Sequence, residues 1–229
     1  MPSRILVVAA HPDDEVLGCG ATIAKRLRQR DRVSIRILGE GLMSRDGAPK
    51  GARRAQALSR LRASARSAAR VLGTPDVACD DLPDNRFDAV DLLSIVKRVE
   101  RWVEELRPEA IYTHHPGDLN IDHALTFRAV LTATRPVPGC PVKAVYAFEV
   151  PSSTEWAFQR CEPAFRPSVF VDVSSTLETK VKALRQYAGE VRPAPHPRSP
   201  EGIRAMAQRW GSVVGVKYAE AFELIRLLE

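Results

Sequence analysis

The sequence predicts an α/β fold: a Rossmann-like, mainly parallel sheet with helices on both faces, forming a single domain over residues 1–229. Two observations predict it. Short continuous apolar runs rich in β-branched residues alternate along the chain with segments of helical periodicity, the pattern of strands buried in a parallel sheet. The most polar clusters directly follow predicted strands, where open α/β sheets place their ligands.

Residues 4–10 (RILVVAA) read as the first strand. After HPDDE, Gly18-Cys19-Gly20 opens a helical stretch, ATIAKRLRQR. A second strand follows at Val33–Leu38, then a polar loop, GEGLMSRDGAPKG. Residues 51–72 read as a long helix ending at Gly73, and Val77–Cys79 as a short extended piece before the loop DDLPDNRFD. Asp88 or Asp91 caps the next helix, whose apolar positions Leu92, Leu93, Val96, Val99, Trp102, Val103 and Leu106 keep helical spacing. Pro108 stops it. Ala110–Thr113 is another strand, the loop HHPGDLNID follows, and HALTFRAVLTA is a helix. Strands are expected at Lys143–Val150 and Val169–Val173, an amphipathic segment at Thr176–Glu190, and a loop at RPAPHPRSP. Periodicity leaves the closing YAEAFELIRLL open between strand and helix. The glycines at 18 and 20 are too few for a dinucleotide fingerprint, and close strand–helix packing explains them.

Composition narrows the function classes. The chain is 45% hydrophobic and 27% charged, typical of a globular protein, and no apolar run approaches the roughly 20 residues that cross a bilayer. MPSRILVVAAHPDDE does not read as a signal peptide, because its short apolar stretch runs into acids, so the expected location is the cytoplasm. The four cysteines are far apart and lack C-x-x-C spacing, so free thiols are expected. The formal charge of +6 comes largely from the arginines of GARRAQALSRLRASARSAAR. A solvated helix face explains them better than a nucleic-acid surface, since no aromatic interleaving accompanies the charge.

Two clusters carry chemistry. Ala10-His11-Pro12-Asp13-Asp14-Glu15 sets three mutually repelling carboxylates at a strand end, an arrangement that calls for a cation or hydrogen bonds. The second cluster is His114-His115-Pro116-Gly117-Asp118-Leu119-Asn120-Ile121-Asp122-His123. Together they hold four of the five histidines. Two imidazoles and one carboxylate suit a catalytic zinc with a position open to water, and a further carboxylate can then accept the water's proton. Residue logic leaves open which of Asp13 and Asp14 does which.

A-H-P-D-D-E after the first strand, with Asp-His opening a later helix, closely resembles the LmbE-like/PIG-L deacetylase family, and the similarity runs over almost the whole chain. EVPSSTEW (149–156), PHPRS (195–199) and KYAEAFELIR (217–226) also look like family stretches. The resemblance implies a zinc-dependent enzyme that removes acetyl groups from N-acetylglucosamine-containing molecules, including precursors of mycothiol, bacillithiol and glycosylphosphatidylinositol. It implies His11, Asp14 and His123 as metal ligands, Asp13 as general base, and Asp122 as the acid that orients an imidazole. The sequence departs from the family at Asn120, where many members carry a histidine that stabilises the oxyanion or protonates the leaving amine. Asn donates a hydrogen bond but delivers no proton at neutral pH. The expectation is that Asn120 keeps the oxyanion role, with Asp13 or His196 supplying the proton.

Arg45, His196 and Arg198 are candidate substrate contacts, the last two in a Pro-rich loop. His114 and His115 are candidates to line the pocket, with at least one of them expected to support backbone rather than bind metal; Glu15 is expected to bond the loop backbone or a ligand histidine, and Trp102, Trp156 and Trp210 to serve packing. Competing readings are a 2-His-1-carboxylate iron(II) enzyme, with Fe2+ in place of Zn2+, and a metal-containing carbohydrate-binding protein without catalysis. The expected partner is a small N-acylated amino sugar or conjugate, with no nucleic acid and no membrane span, and a homo-oligomer is compatible with the sequence.

Overall fold

The computed structural model describes residues 2–42 and 51–229. Its seven described strands form one sheet: β1 (Arg4–Ala9), β2 (Arg32–Gly39), β3 (Val77–Leu82), β4 (Ala110–His114), β5 (Ala144–Phe148), β6 (Val169–Asp172) and β7 (Ala219–Leu227). The order is β3-β2-β1-β4-β5-β7-β6. The first five strands pair in parallel, and β7 runs antiparallel between β5 and β6. The chain winds outward from β1 through β2 to β3, then returns to lay β4 on the other side of β1. This reversal opens a crevice at the carboxyl ends of β1 and β4.

Alternation along β1 feeds two cores. Ile5, Val7 and Ala9 pack with α1 (Asp14–Arg28), α2 (Gly51–Leu72), α5 (Leu177–Leu184) and α6 (Pro200–Val214). Leu6, Val8 and Ala10 face α3 (Leu92–Leu106) and α4 (Ile121–Ala133). The expected helices on both faces are therefore present, and α2 spans the expected residues. Its arginines at 53, 60, 62, 66 and 70 are exposed. Asp91 caps α3 by accepting from Ser94 N.

One expectation is corrected, one open reading is decided and one element is added. The first helix starts at Asp14, with Asp13 as N-cap, so the acids lie in its first turn instead of a preceding loop. The region around Gly18 and Gly20 is where α1 breaks, since Cys19 has φ −144°. Glu220 of β7 accepts from Ala21 N (3.1 Å) and Thr22 N (2.6 Å), capping the second half from across the core. Lys180 neutralises that carboxylate at 2.6 Å and donates to Leu17 O. A Cβ on Gly18 would stand 2.2 Å from the Phe148 ring, so close strand–helix packing does require that glycine. Second, the closing segment is strand β7. Third, α6 was not anticipated, although Ser199 caps it through Gly202 N, Pro200 occupies its first turn and Gly215 ends it at φ 76°.

Candidate metal centre and active site

β1 ends at the crevice, and the next residues turn tightly into α1. Asp13 sits at φ 118°, in the left-handed region that non-glycine residues avoid, and Glu15 holds this turn by accepting from Asp13 N at 3.0 Å. Tyr187 OH donates to the other Glu15 oxygen at 2.6 Å, so Glu15 bonds the loop as expected. The turn aims His11 and Asp14 into the crevice, and the first turn of α4 brings His123 to meet them.

Asp14 Oδ2 lies 3.3 Å from His11 Nδ1 and 3.3 Å from His123 Nε2. All three donor atoms lie within 4.8 Å of one another, and all three residues are buried. Ligand atoms about 2.0–2.1 Å from a tetrahedral zinc stand roughly 3.3–3.4 Å apart, so the spacing fits one small divalent cation. The charges agree. Burial opposes a proton on His11, but hydrogen bonds to Asp122 and Asp14 outweigh it and raise its pKa to about 10. Burial likewise opposes charge on His123, and the Asp14 and Asp118 carboxylates raise it to about 9. The cluster demands positive charge, which a cation supplies.

The supporting groups fix which nitrogen each imidazole offers. Asp122 Oδ2 is 2.9 Å from His11 Nε2, while its Oδ1 accepts from Phe87 N at 2.9 Å. With Nε2–H donated there, His11 presents Nδ1 to the cation. Asp84 Oδ1 also stands 3.2 Å from Nε2, so His11, Asp84 and Asp122 form a second acidic triple around the far nitrogen. Asp118 plays the matching part for His123: its Oδ1 lies 3.1 Å from Nδ1. Ser153 Oγ donates to Asp118 Oδ1, and Thr154 Oγ1 donates to Oδ2 at 2.7 Å. His114 stacks on His123 with centroids 3.9 Å apart and accepts from Ala10 N at 2.8 Å. His115 accepts from Gly117 N at 3.1 Å. Both therefore support backbone.

A cavity of about 420 Å³ opens over the centre, lined by His11, Asp13, Asp14 and His123 at its floor and by Asn120, Glu190, Arg198 and Trp156 among its walls. Burial raises the Asp13 carboxyl well above its usual range, against the pull of Arg198. Arg198 Nη1 reaches Asp13 Oδ2 at 2.9 Å and Glu190 Oε2 at 3.4 Å, and Arg198 Nε donates to Ser152 Oγ at 2.7 Å. Arg198 lines the cavity, but its guanidinium is engaged by the protein. Asn120 is the N-cap of α4: its Oδ1 accepts from Asp122 N at 2.9 Å, which leaves its NH2 to offer the cavity. His196 is not among the lining residues. It lies edge-on to Trp156, its Nδ1 accepts from Arg198 N at 3.0 Å, and burial with the Arg198 and Arg192 charges lowers its pKa. Arg45 lies outside the described residues. Sequence reasoning missed Asp118, Asp84 and Glu190, and Trp156, expected to serve packing, stands half-exposed at the mouth. A second acid in the segment before His123, besides Asp122, was the available signal for Asp118. Trp102 is buried in the core as expected.

A doubly wound sheet whose switch point gathers a buried His–Asp–His set beside a second carboxylate defines the class of metal-dependent hydrolases. The chain belongs to the PIG-L family: the family model, GlcNAc-PI de-N-acetylase, matches residues 6–134. Membership makes it an enzyme of the de-N-acetylase kind, a hydrolase of N-acetyl amides. It is 29% identical over 238 residues to the 1D-myo-inositol 2-acetamido-2-deoxy-alpha-D-glucopyranoside deacetylase of Mycobacterium sp. strain JLS, covering 86% of this chain and 77% of that protein. Its fold matches N,N'-diacetylchitobiose deacetylase from Pyrococcus horikoshii with a TM-score of 0.77 at 18% identity, over 98% of this chain and 84% of that one. It also matches GalB, the 4-carboxy-2-hydroxymuconate hydratase from Pseudomonas putida KT2440, with a TM-score of 0.71 at 23% identity, over 99% and 98%. One fold thus hosts more than one reaction, and the site must decide between them.

Proposed function

We propose that this chain hydrolyses the acetamide of an N-acetylated amino sugar or its conjugate, with His11, Asp14 and His123 holding a divalent cation and Asp13 as general base. The observation that carries this reading is the convergence of those three donor atoms at about zinc spacing, with Asp13 beside them in the cavity. A cation there, zinc in this reading and iron(II) the alternative, supplies Lewis acidity that acidifies water and polarises the amide carbonyl. Asp13 takes the proton of the attacking water with the oxygen that Arg198 leaves free. Asn120 donates its amide N–H to the developing oxyanion. His196 stands behind Trp156 and is neutral at pH 7 with its pKa lowered, so the proton returned to the leaving amine is assigned to Asp13. The same carboxyl thus works twice, as base and then as acid.

The test is release of acetate and free amine from zinc-reconstituted protein, followed by mass spectrometry across N-acetylglucosamine, its glycosides and its nucleotide conjugates. The Asp13→Asn variant is expected to keep its metal and lose roughly 10²–10⁴-fold in rate, the usual worth of a general base. Full activity in Asp13→Asn rejects the assigned base. A wild type inactive on the whole panel supports the non-catalytic binder, and turnover that requires dioxygen supports the iron enzyme.

A further inference from the structure

Two short segments at the cavity mouth carry an unusual density of uncovered apolar side chains. In the first segment Leu119 is 58% exposed and Ile121 47%; in the second Trp156 is 43% and Phe158 77% exposed. The six other large apolar side chains exposed among the described residues lie on α3, on α6, at the closing strand and at Val137. Leu119 and Trp156 both line the cavity itself. Their proximity is built in, because the carboxylate of Asp118, next to Leu119, is bonded by Ser153 and Thr154, the residues just before Glu155 and Trp156. The second segment is also held under backbone constraint, since Ser152, Phe158 and Gln159 all have φ between 50° and 69°. Left-handed backbone at a bulky residue such as Phe158 is unfavourable and marks a segment shaped by something other than local preference.

We propose that the substrate carries an apolar substituent, alkyl or aryl, on the side away from its acetamide, and that Leu119 and Trp156 bind this group at the cavity mouth. The inference rests on the deacetylase reading, which places the acetamide on the polar floor beside Asp13 and Asn120 and so turns the remainder of the molecule outward. A second sugar ring could stack on Trp156, but the exposed side chain of Leu119, which lines the same cavity, offers its hydroxyls no hydrogen bond. An alkyl or aryl group covers the exposed apolar faces of both Leu119 and Trp156.

The test separates binding from turnover. Methyl, butyl and octyl β-D-glucosides lack the acetamide and are not substrates, so their affinity for the zinc-loaded protein is measured by calorimetry below micellar concentrations. Each methylene that becomes fully covered tightens binding by up to about fourfold, and the octyl glycoside is expected to bind at least about tenfold more tightly than the methyl one. The Leu119→Gln/Trp156→Gln double variant is expected to flatten this series, while Val213→Gln on the exposed face of α6 keeps it. Equal affinity along the wild-type series overturns the proposal, as does a gain that survives the double variant. Tighter binding of methyl β-cellobioside than of the octyl glycoside overturns it in favour of a second sugar. Acetate release from methyl 2-acetamido-2-deoxy-β-D-glucoside, measured in parallel, tests the reaction alone. An alkyl gain without acetate release sinks the reaction and leaves the apolar mouth standing; the reverse pattern sinks the mouth only.

Discussion

Asn120 has an observed capping role and a proposed oxyanion role, which a single substitution can separate. Its Oδ1 caps α4 through Asp122 N, and its NH2 is the hydrogen-bond donor it offers the cavity. Asp is as good an N-cap as Asn but has no N–H to give an oxyanion. Asn120→Asp is therefore expected to melt near the wild-type temperature while losing at least about 100-fold in kcat, the worth of one oxyanion donor. Asn120→Ala should lose both activity and about 1 kcal/mol of stability in a denaturant titration. Activity retained in Asn120→Asp removes the oxyanion role. Asp118 is testable without turnover. Asp118→Asn keeps the shape but not the charge that faces His123 Nδ1, and metal affinity is expected to fall about 10–100-fold in competition with a chelator. An unchanged affinity would assign Asp118 to loop anchoring alone. At this scale the sequence was legible where chemistry is crowded: His11, Asp14 and His123 meet as their motifs implied. Asp118 and Glu190 were not legible, because their roles arise from partners distant in the chain, such as Ser153, Thr154 and Arg198.

Elements whose pattern is repeated locally could be read, and those depending on distant partners could not. The long helix α2 and strand β4 announce themselves through apolar spacing, Gly73 and Pro108. The break in α1 has a local sign in Gly18 and Gly20, but not its remedy, since the second half is capped by Glu220 from the far end of the chain. α6 has local signs in Ser199, Pro200 and Gly215, but the Pro-rich run before it carries the stronger local signal, that of a loop. The α1 break rests on a buried ion pair whose energetics are predictable. Lys180→Met leaves the Glu220 carboxylate buried without its counter-charge and is expected to cost about 3–5 kcal/mol. Adding Glu220→Gln should recover part of the loss, since Gln retains one acceptor for the Ala21 and Thr22 N–H groups. Denaturant titration of the single and double variants reads this directly, and strictly additive losses would show that the pair does not act as a unit.

Over the whole molecule, the reversal of winding between β1 and β4 explains why one small site can bear on global stability. His11 and Asp14 lie at the β1–α1 junction, and His123 in α4, which follows β4, so a cation held by the three would join the two halves of the sheet at their shared crevice. The alternation of strands and helices made the fold class legible, but strand order was not, because nothing local says that β4 returns beside β1. The antiparallel β7 was open for the same reason: its pattern fits helix or strand until β5 and β6 are placed beside it. A cation that binds the folded chain and not the unfolded one stabilises it by about 2.7 kcal/mol at a free concentration 100 times its Kd. For a domain of this size each kcal/mol moves the melting temperature by about 2–4 °C, so zinc in that excess is expected to raise it by roughly 5–10 °C over chelator-treated protein. The sign follows from linkage alone, since a cation held by His11, Asp14 and His123 finds those three groups together only in the folded chain. His123→Gln should abolish the zinc-dependent increment while Val213→Gln preserves it. Identical melting in chelator and in zinc would deny the cation any place in the folded structure, and the hydrolytic reading would fall with it.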